Sequence, residues 1–583
     1  MYIRTRNYYS TILLSTILLH GCSGSPLPET KGQNQPAISA PAPAGSTQTA
    51  EEVVSALPPI TPAEPNHLRQ SMGIEQRATM SRKESKATEG TPVYAKVYGN
   101  MVEDRQISPL SPRFNRESYD ALTETAFIAT ANDPLSTFSI DVDTASYANV
   151  RRWLTGGNLP PVGAVRIEEL INYFSYQYPE PEDGPIGITA ELGPCPWQPE
   201  NKLVRIGVKA EDLDPENIPA SNLVFLIDVS GSMNQPNKLP LLQQSMLLLT
   251  DQLTGEDTVS IVAYAGSDMV ILPPTAGHNK KKIRAAITTL SPGGATHASS
   301  GIVTAYSLAR QSFKKNGNNR IILASDGDFN VGVTSRGELE RLVVRERESG
   351  IFLTVLGFGM GNYHDDTMEI LADKGNGNYS YIDTLLEAKK VLIKERVANL
   401  FTLARDVKLQ IEFNPAHVGG YRLIGYENRA LVDEDFNNDT KDAGEIGAGH
   451  TVTALYELLP AGSKSVPKVD PLKYQHTVQL NNTSEEILSV KLRYKPLDSD
   501  ESSILTKAVT DYSDRLEATS DDFRFAATVA GFGMLLRHSD HVSQLTYPEL
   551  IVMARNSRGT DNEGYRAEFI QLLEMAELTH DKR

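Results

Sequence analysis

Cysteine is nearly missing from this sequence: 583 residues include only Cys22 and Cys195. No disulfide framework can hold such a chain, so its folded parts rest on apolar burial. Basic residues are in deficit, with 56 Lys and Arg against 73 Asp and Glu and a formal net charge of −17. No basic stripe compensates, which excludes nucleic acid as the expected partner, because phosphate binding needs clustered Lys and Arg. Long apolar runs are missing too. The stretch Ile12–Leu19 is too short to span a bilayer, and no later segment reaches the length of a membrane helix. What remains is ordinary globular material, 40% hydrophobic and 22% charged, long enough for about three or four domains.

Arg4 and Arg6 precede Ile12–Leu19, and Leu19-His20-Gly21-Cys22 closes the stretch. Positive charge, a short apolar core and a small residue read as a signal peptide. The set resembles the bacterial lipoprotein signal, in which cleavage precedes a Cys that is then acylated. Residues 1–22 are therefore expected to be the signal, Cys22 the lipidation site, and the membrane a partner through that lipid. Ser23 in place of Asp favours the outer membrane under the usual Gram-negative sorting pattern, within an expected cell-envelope location. Residues 23–125 are rich in Pro, Ala, Ser, Thr, Gln and Glu and cannot bury enough apolar surface to fold. They read as a tether of about 100 residues, with a random-coil reach of about 55 Å.

Residues 126–215 form an N-terminal region. Leu135–Asp143 alternates like a strand, Thr144–Trp153 and Arg166–Phe174 take helical spacing, and Ile186–Gly193 and Leu203–Lys209 are strands. Asp141, Asp143, Thr144 and Ser146 are expected to cap the first helix. Across 221–403 strands and helices alternate: strands near 223–228, 258–265, 269–272, 320–325, 352–357 and 379–382, with the last helix over 386–403. Short apolar strands between amphipathic helices predict a doubly wound α/β fold with a mostly parallel sheet. From 405 to 583 the alternation stops. Val407–Phe413, Tyr421–Ile424, Val452–Leu458 and Ile487–Tyr494 suggest an antiparallel β module, followed by terminal helices over 521–536 and 547–578. Phe525, Val529, Phe532 and Leu536 share one face and are expected to pack inward.

Residues 224–233 read Val-Phe-Leu-Ile-Asp-Val-Ser-Gly-Ser-Met, an apolar strand that ends in Asp228-x-Ser230-x-Ser232. One carboxylate and two hydroxyls in a tight turn suit a hard divalent cation such as Mg²⁺. Alone, the same residues also serve to cap the helix that follows. Two further segments bear on the choice. Ile321–Asp328 repeats the pattern of apolar strand then Asp326-Gly327, and the glycine-rich Ser291-Pro-Gly-Gly-Ala-Thr-His297 presents Thr296. Ligands of open α/β sheets sit at the carboxyl ends of strands, where these loops converge. The candidate site is thus Asp228, Ser230, Ser232, Thr296 and Asp326.

This set, in this order, resembles the metal-ion-dependent adhesion site of von Willebrand factor type A domains, and residues 221–403 are similar to that family throughout. Asp141–Tyr147, Tyr421–Arg429 and Ala448–Glu457 resemble a bacterial lipoprotein lineage of it. The resemblance implies Mg²⁺, or Mn²⁺ or Ca²⁺, held partly through water, with one exchangeable position. A partner protein's Asp or Glu would fill that position, so the implied function is metal-bridged protein binding on the envelope. Two alternatives stand beside it: Mg²⁺-dependent hydrolysis, or a constitutive accessory subunit of a membrane complex.

Other features weigh less. Asp433–Asp442 is acidic but has Gly444 where a calcium loop of the EF-hand type needs Glu, so it reads as a solvated loop. His278, His297 and His364 lack the spacing of a zinc helix. Cys195 reads as a buried, inert thiol, and no motif supplies a nucleophile with its base, so no catalytic residue is expected.

Overall fold

Six strands build the sheet that carries the candidate site: β1 (Ser221–Asp228), β2 (Thr258–Tyr264), β3 (Asp268–Ala276), β4 (Asn318–Ser325), β5 (Phe352–Phe358) and β6 (Tyr379–Ile382). The computed structural model describes residues 117–581 except 215–217, 266–267, 294–297, 328–335, 362, 469–483, 498, 511–512 and 543, and the side chains of 298–300 and 336. Cys22, the expected tether up to residue 116, and Thr296 with His297 lie outside the described residues.

All eight residues of β1 are buried. They alternate between two cores: Leu223, Phe225 and Ile227 face Leu242 and Met246, whereas Val224 and Leu226 face Ile302 and Tyr306. A strand covered on both faces needs a continuous apolar run, which is what its sequence shows. Each such side chain contributes about 1.5–3 kcal/mol on burial. The strand order is β6-β5-β4-β1-β2-β3, with β1 parallel to both β2 and β4 and only β3 antiparallel. The chain leaves β1 for β2 on one side and returns to β4 on the other. The crevice between β1 and β4 is therefore the topological switch point.

A second body of structure is a sandwich of two antiparallel sheets. One runs Ile128–Ala129, Val418–Ile424, Thr451–Pro460, Lys202–Ala210, Ile186–Pro194; the other runs Ala430–Leu431, Leu135–Ser139, Thr402–Phe413, Glu486–Pro496, Ser503–Thr510. Regions 126–215 and 405–583, read separately in the sequence, share both sheets: Leu409 pairs with Phe138, and Ala454 with Ile206. The α/β segment is thus an insertion between the two halves of one sandwich. Three helices, Asp521–Leu536, Tyr547–Asn556 and Tyr565–His580, pack with Ile167–Asn172 in a further core. Phe525, Val529, Phe532 and Leu536 all lie inside it, as their spacing predicts. No helix among the described residues is long and apolar enough to cross a membrane.

Two local expectations fail for reasons that lie far away in sequence. The helix expected over 386–403 is broken into Leu385–Lys389, a π turn at Lys390–Lys394 and Arg396–Leu400, and a strand starts at Thr402. Glu387 in its first segment, with Asp383 just before it, faces a buried cation: Arg151, on helix Ala145–Thr155, binds both. Lys390 sits 4.1 Å from the centre of the Tyr173 ring and pairs with Glu395 at 2.6 Å. The second failure concerns Asp141, Asp143, Thr144 and Ser146, which make no side-chain cap on helix Ala145–Thr155. Asp141 and Asp143 instead hold Arg429 at 3.2 and 3.5 Å, and Asp143 accepts the Tyr379 amide at 2.7 Å. The acidic loop 433–442 is pinned by ion pairs rather than merely solvated, Asp439 to Arg493 and Asp442 to Arg347.

Glu168 yields a pH prediction. Its Oε2 accepts the Tyr426 amide at 3.0 Å, and its Oε1 is buried with no hydrogen-bond partner. Burial, reinforced by nearby Glu427, pushes its carboxyl from the ordinary 4.5 up to about 7. The folded chain then keeps a proton that the unfolded chain has released, so stability falls as pH rises from 4.5 to about 7. Glu168→Gln should reduce that loss. Melting temperatures across the window test it, and identical slopes for wild type and variant would contradict the assignment.

Candidate metal centre

Asp228 is the last residue of β1, delivered by a strand that cannot move without disturbing both cores. Its carboxylate is fully buried. Oδ1 accepts the Ser230 amide at 2.8 Å, and Oδ2 accepts the Ser325 hydroxyl at 3.2 Å. Ser230 and Ser232 place their hydroxyl oxygens 2.8 Å apart across the turn. Ser325, the last residue of β4, also accepts the Gly327 amide at 3.1 Å, which shapes the turn around Asp326. Asp326 is 2% exposed, and its Oδ2 accepts from the Lys238 ammonium at 2.7 Å.

The glycine-rich loop joins the same edge. The Gly293 amide donates to the carbonyl of Val229 at 2.7 Å, tying this loop to the residue after Asp228. Thr296, three residues further, is outside the described residues, so its place in the site stays an expectation. Four of the five expected residues therefore lie on the turns that follow β1 and β4, at the switch point.

Sequence reading missed three neighbours. Ser325 was hidden by reading the strand as merely apolar. Tyr264 ends β2 in register with Asp228, and its buried phenol is pushed up by burial and by the charge of Asp228. Lys238 precedes helix Leu239–Gln252, and no spacing rule connects it to Asp326. Its stem lies over Gly359, where an added Cβ would stand 2.2 Å from Lys238 Cε, and Gly359 has φ +82°. Only glycine meets both demands there.

The donor set is hard oxygen, two carboxylates and two serine hydroxyls, with Asp228, Ser230 and Asp326 buried and Ser232 half-buried at the turn. Burial pushes the Asp228 carboxyl up to about 6, the Ser230 amide opposes this, and Asp326 adds to it. A divalent cation would reverse that shift by supplying the missing positive charge. Asp326 is already paired with one cation, the Lys238 ammonium, so a metal there would share this carboxylate with it. Among the described residues no group of three or more His, Cys, Asp and Glu is arranged to hold a metal. A cation at this site would therefore rest on two carboxylates, the serine hydroxyls and water, the pattern that suits Mg²⁺.

A family model for the von Willebrand factor type A domain matches residues 223–328, one described as von Willebrand factor matches 113–205, and one for the C-terminal part of YfbK matches 398–578. The chain is 45% identical over 461 residues to "Uncharacterized protein YfbK" of Escherichia coli (strain K12), covering 77% of this chain and 79% of that one. The chain belongs to the YfbK family of von Willebrand factor type A domain proteins. A more distant relative is "Uncharacterized protein sll0103" of Synechocystis, 28% identical over 52% of this chain and 73% of its own. Among solved structures, a von Willebrand factor type A protein from Catenulispora acidiphila is similar over 66% of this chain and 89% of its own, at 13% identity and a TM-score of 0.38. Proteins with this domain generally mediate protein–protein interactions, and such domains often bind a divalent metal at the adhesion site. YfbK-family membership also covers the flanks. The matches on either side of the central domain, 113–205 and 398–578, contain the strands that interleave in the sandwich.

Proposed function

We propose that this chain is a lipid-anchored envelope protein that binds a protein partner through a divalent cation at Asp228, Ser230, Ser232, Thr296 and Asp326. The observation that carries the reading is the meeting of Asp228, Ser230, Ser232 and Asp326 at the β1/β4 switch point. Two carboxylates only balance a divalent charge, so the ion keeps its attraction for a further anionic oxygen. An Asp or Glu of the partner supplies that oxygen through a charge-assisted contact. Binding rather than turnover fits the groups described here. Both carboxylates are engaged by hydrogen bonds and Lys238 is a cation, so among the described residues of the site no general base is set out toward a reacting water. Cys22 acylation would hold the domain at the membrane, with residues 23–125 as the spacer.

The test is retention of envelope proteins on the immobilised full chain, with Mg²⁺ or with a chelator. The reading expects a specific protein to be retained with Mg²⁺, released by chelator, and absent with Asp326→Ala. Retention indifferent to chelator would favour a constitutive accessory subunit. For the anchor, labelled palmitate should enter the wild type and not Cys22→Ser; equal labelling contradicts lipidation at Cys22.

A further inference from the structure

Lys238 is the feature the metal site does not explain. A lysine whose side chain is 4% exposed is costly to bury, and this one is held against an Asp326 side chain that is 1% exposed. The stem crosses the glycine at 359, where any larger residue would collide with it. The placement is therefore built into two separate segments, the lead-in to helix Leu239–Gln252 and the loop after β5.

Charge balance gives the pairing a consequence. Among the described residues of the site, two carboxylates and one ammonium sum to −1, and a divalent cation raises that sum to +1. Without Lys238 the loaded site would be neutral. In a buried setting a single uncompensated charge is a strong determinant of what binds next. We propose that Lys238 is a specificity-determining residue that weakens the site for the metal alone and strengthens the loaded site for one carboxylate. Metal and carboxylate then bind with positive coupling, and by linkage each raises the affinity of the other by the same factor. This inference rests on the reading of the site as a cation site, and it identifies the partner's contribution as a single anionic group.

The experiment is titration of the full chain with Mn²⁺, following free Mn²⁺ by electron paramagnetic resonance, in chloride and in acetate of equal ionic strength. Wild type should bind Mn²⁺ more tightly in acetate. Lys238→Met should bind Mn²⁺ at least about tenfold more tightly in chloride and lose most of the acetate effect. Lys238→Gln, which keeps a hydrogen-bond donor for Asp326, should behave in the same way if charge is the cause, and thermal melts establish that both variants fold. Wild-type binding with equal or weaker binding in both folded variants overturns the role of Lys238 and leaves the metal site standing. Failure of wild type to bind Mn²⁺ overturns the metal site itself, and the inference with it.

Discussion

Asp228→Ala is expected to lower Mn²⁺ affinity at least about 100-fold while leaving the fold in place. Replacing groups that only orient a metal ligand commonly costs 10–100-fold, so removing one of two carboxylate ligands should cost no less. The fold should survive because the same carboxylate is a liability without metal. Its burial raises its proton affinity, and its two hydrogen bonds, from the Ser230 amide and the Ser325 hydroxyl, are worth about 1 kcal/mol each. Thermal denaturation separates the two effects. A cation at 100 times its dissociation constant stabilises the folded chain by about 2.7 kcal/mol. Wild type should therefore melt higher with Mn²⁺ than with chelator, and Asp228→Ala should melt at one temperature under both conditions. A variant that keeps the metal-dependent rise would show that the cation binds elsewhere.

The second large effect concerns the joint between the inserted domain and its flanks. Arg166 binds Glu169 on its own helix and Asp365 on helix Asp365–Lys374 of the central domain, and it lies 3.4 Å from Glu369. Its side chain is 3% exposed and those of Glu169 and Asp365 no more than 1%. Removing one member of a buried ion pair leaves its partners charged and without compensation, which costs about 3–5 kcal/mol. Arg166→Met should accordingly lower the melting temperature steeply and expose helix Ile167–Asn172 to proteolysis. Adding Asp365→Asn to Arg166→Met should recover part of the loss, because one stranded charge is gone. A single variant as stable as wild type would mean that the Arg166 cluster contributes nothing to the joint, which would then rest on its other ion pairs and apolar contacts.

How far the sequence foretold this architecture depends on whether the information was local. β1 and β4 were legible because a strand buried on both faces needs an apolar run, here residues 223–227 and 321–324, so the Asp that follows each run stands out. Helix Asp521–Leu536 was legible to the residue: Ser520 accepts the Phe523 amide at its start, and its apolar face is continuous. Strand partners were not legible. Leu409 pairs with Phe138 across more than 250 residues, and nothing in either strand names the other, so one sandwich read as two separate regions. The break at Lys390–Lys394 answers to Tyr173 and, through the preceding turn, to Arg151, residues more than 200 positions away. The same holds at the site. Asp228, Ser230, Ser232 and Asp326 announce themselves by motif, whereas Lys238 and Tyr264 become visible only once β1, β2 and β4 are laid side by side.

The most direct measurement is anomalous diffraction from crystals of the protein grown with Mn²⁺. The account predicts one peak beside the Ser230 and Ser232 hydroxyls, between Asp228 and Asp326, with Thr296 facing the same ion. No peak there at saturating Mn²⁺, or a peak bound by other residues, would contradict it.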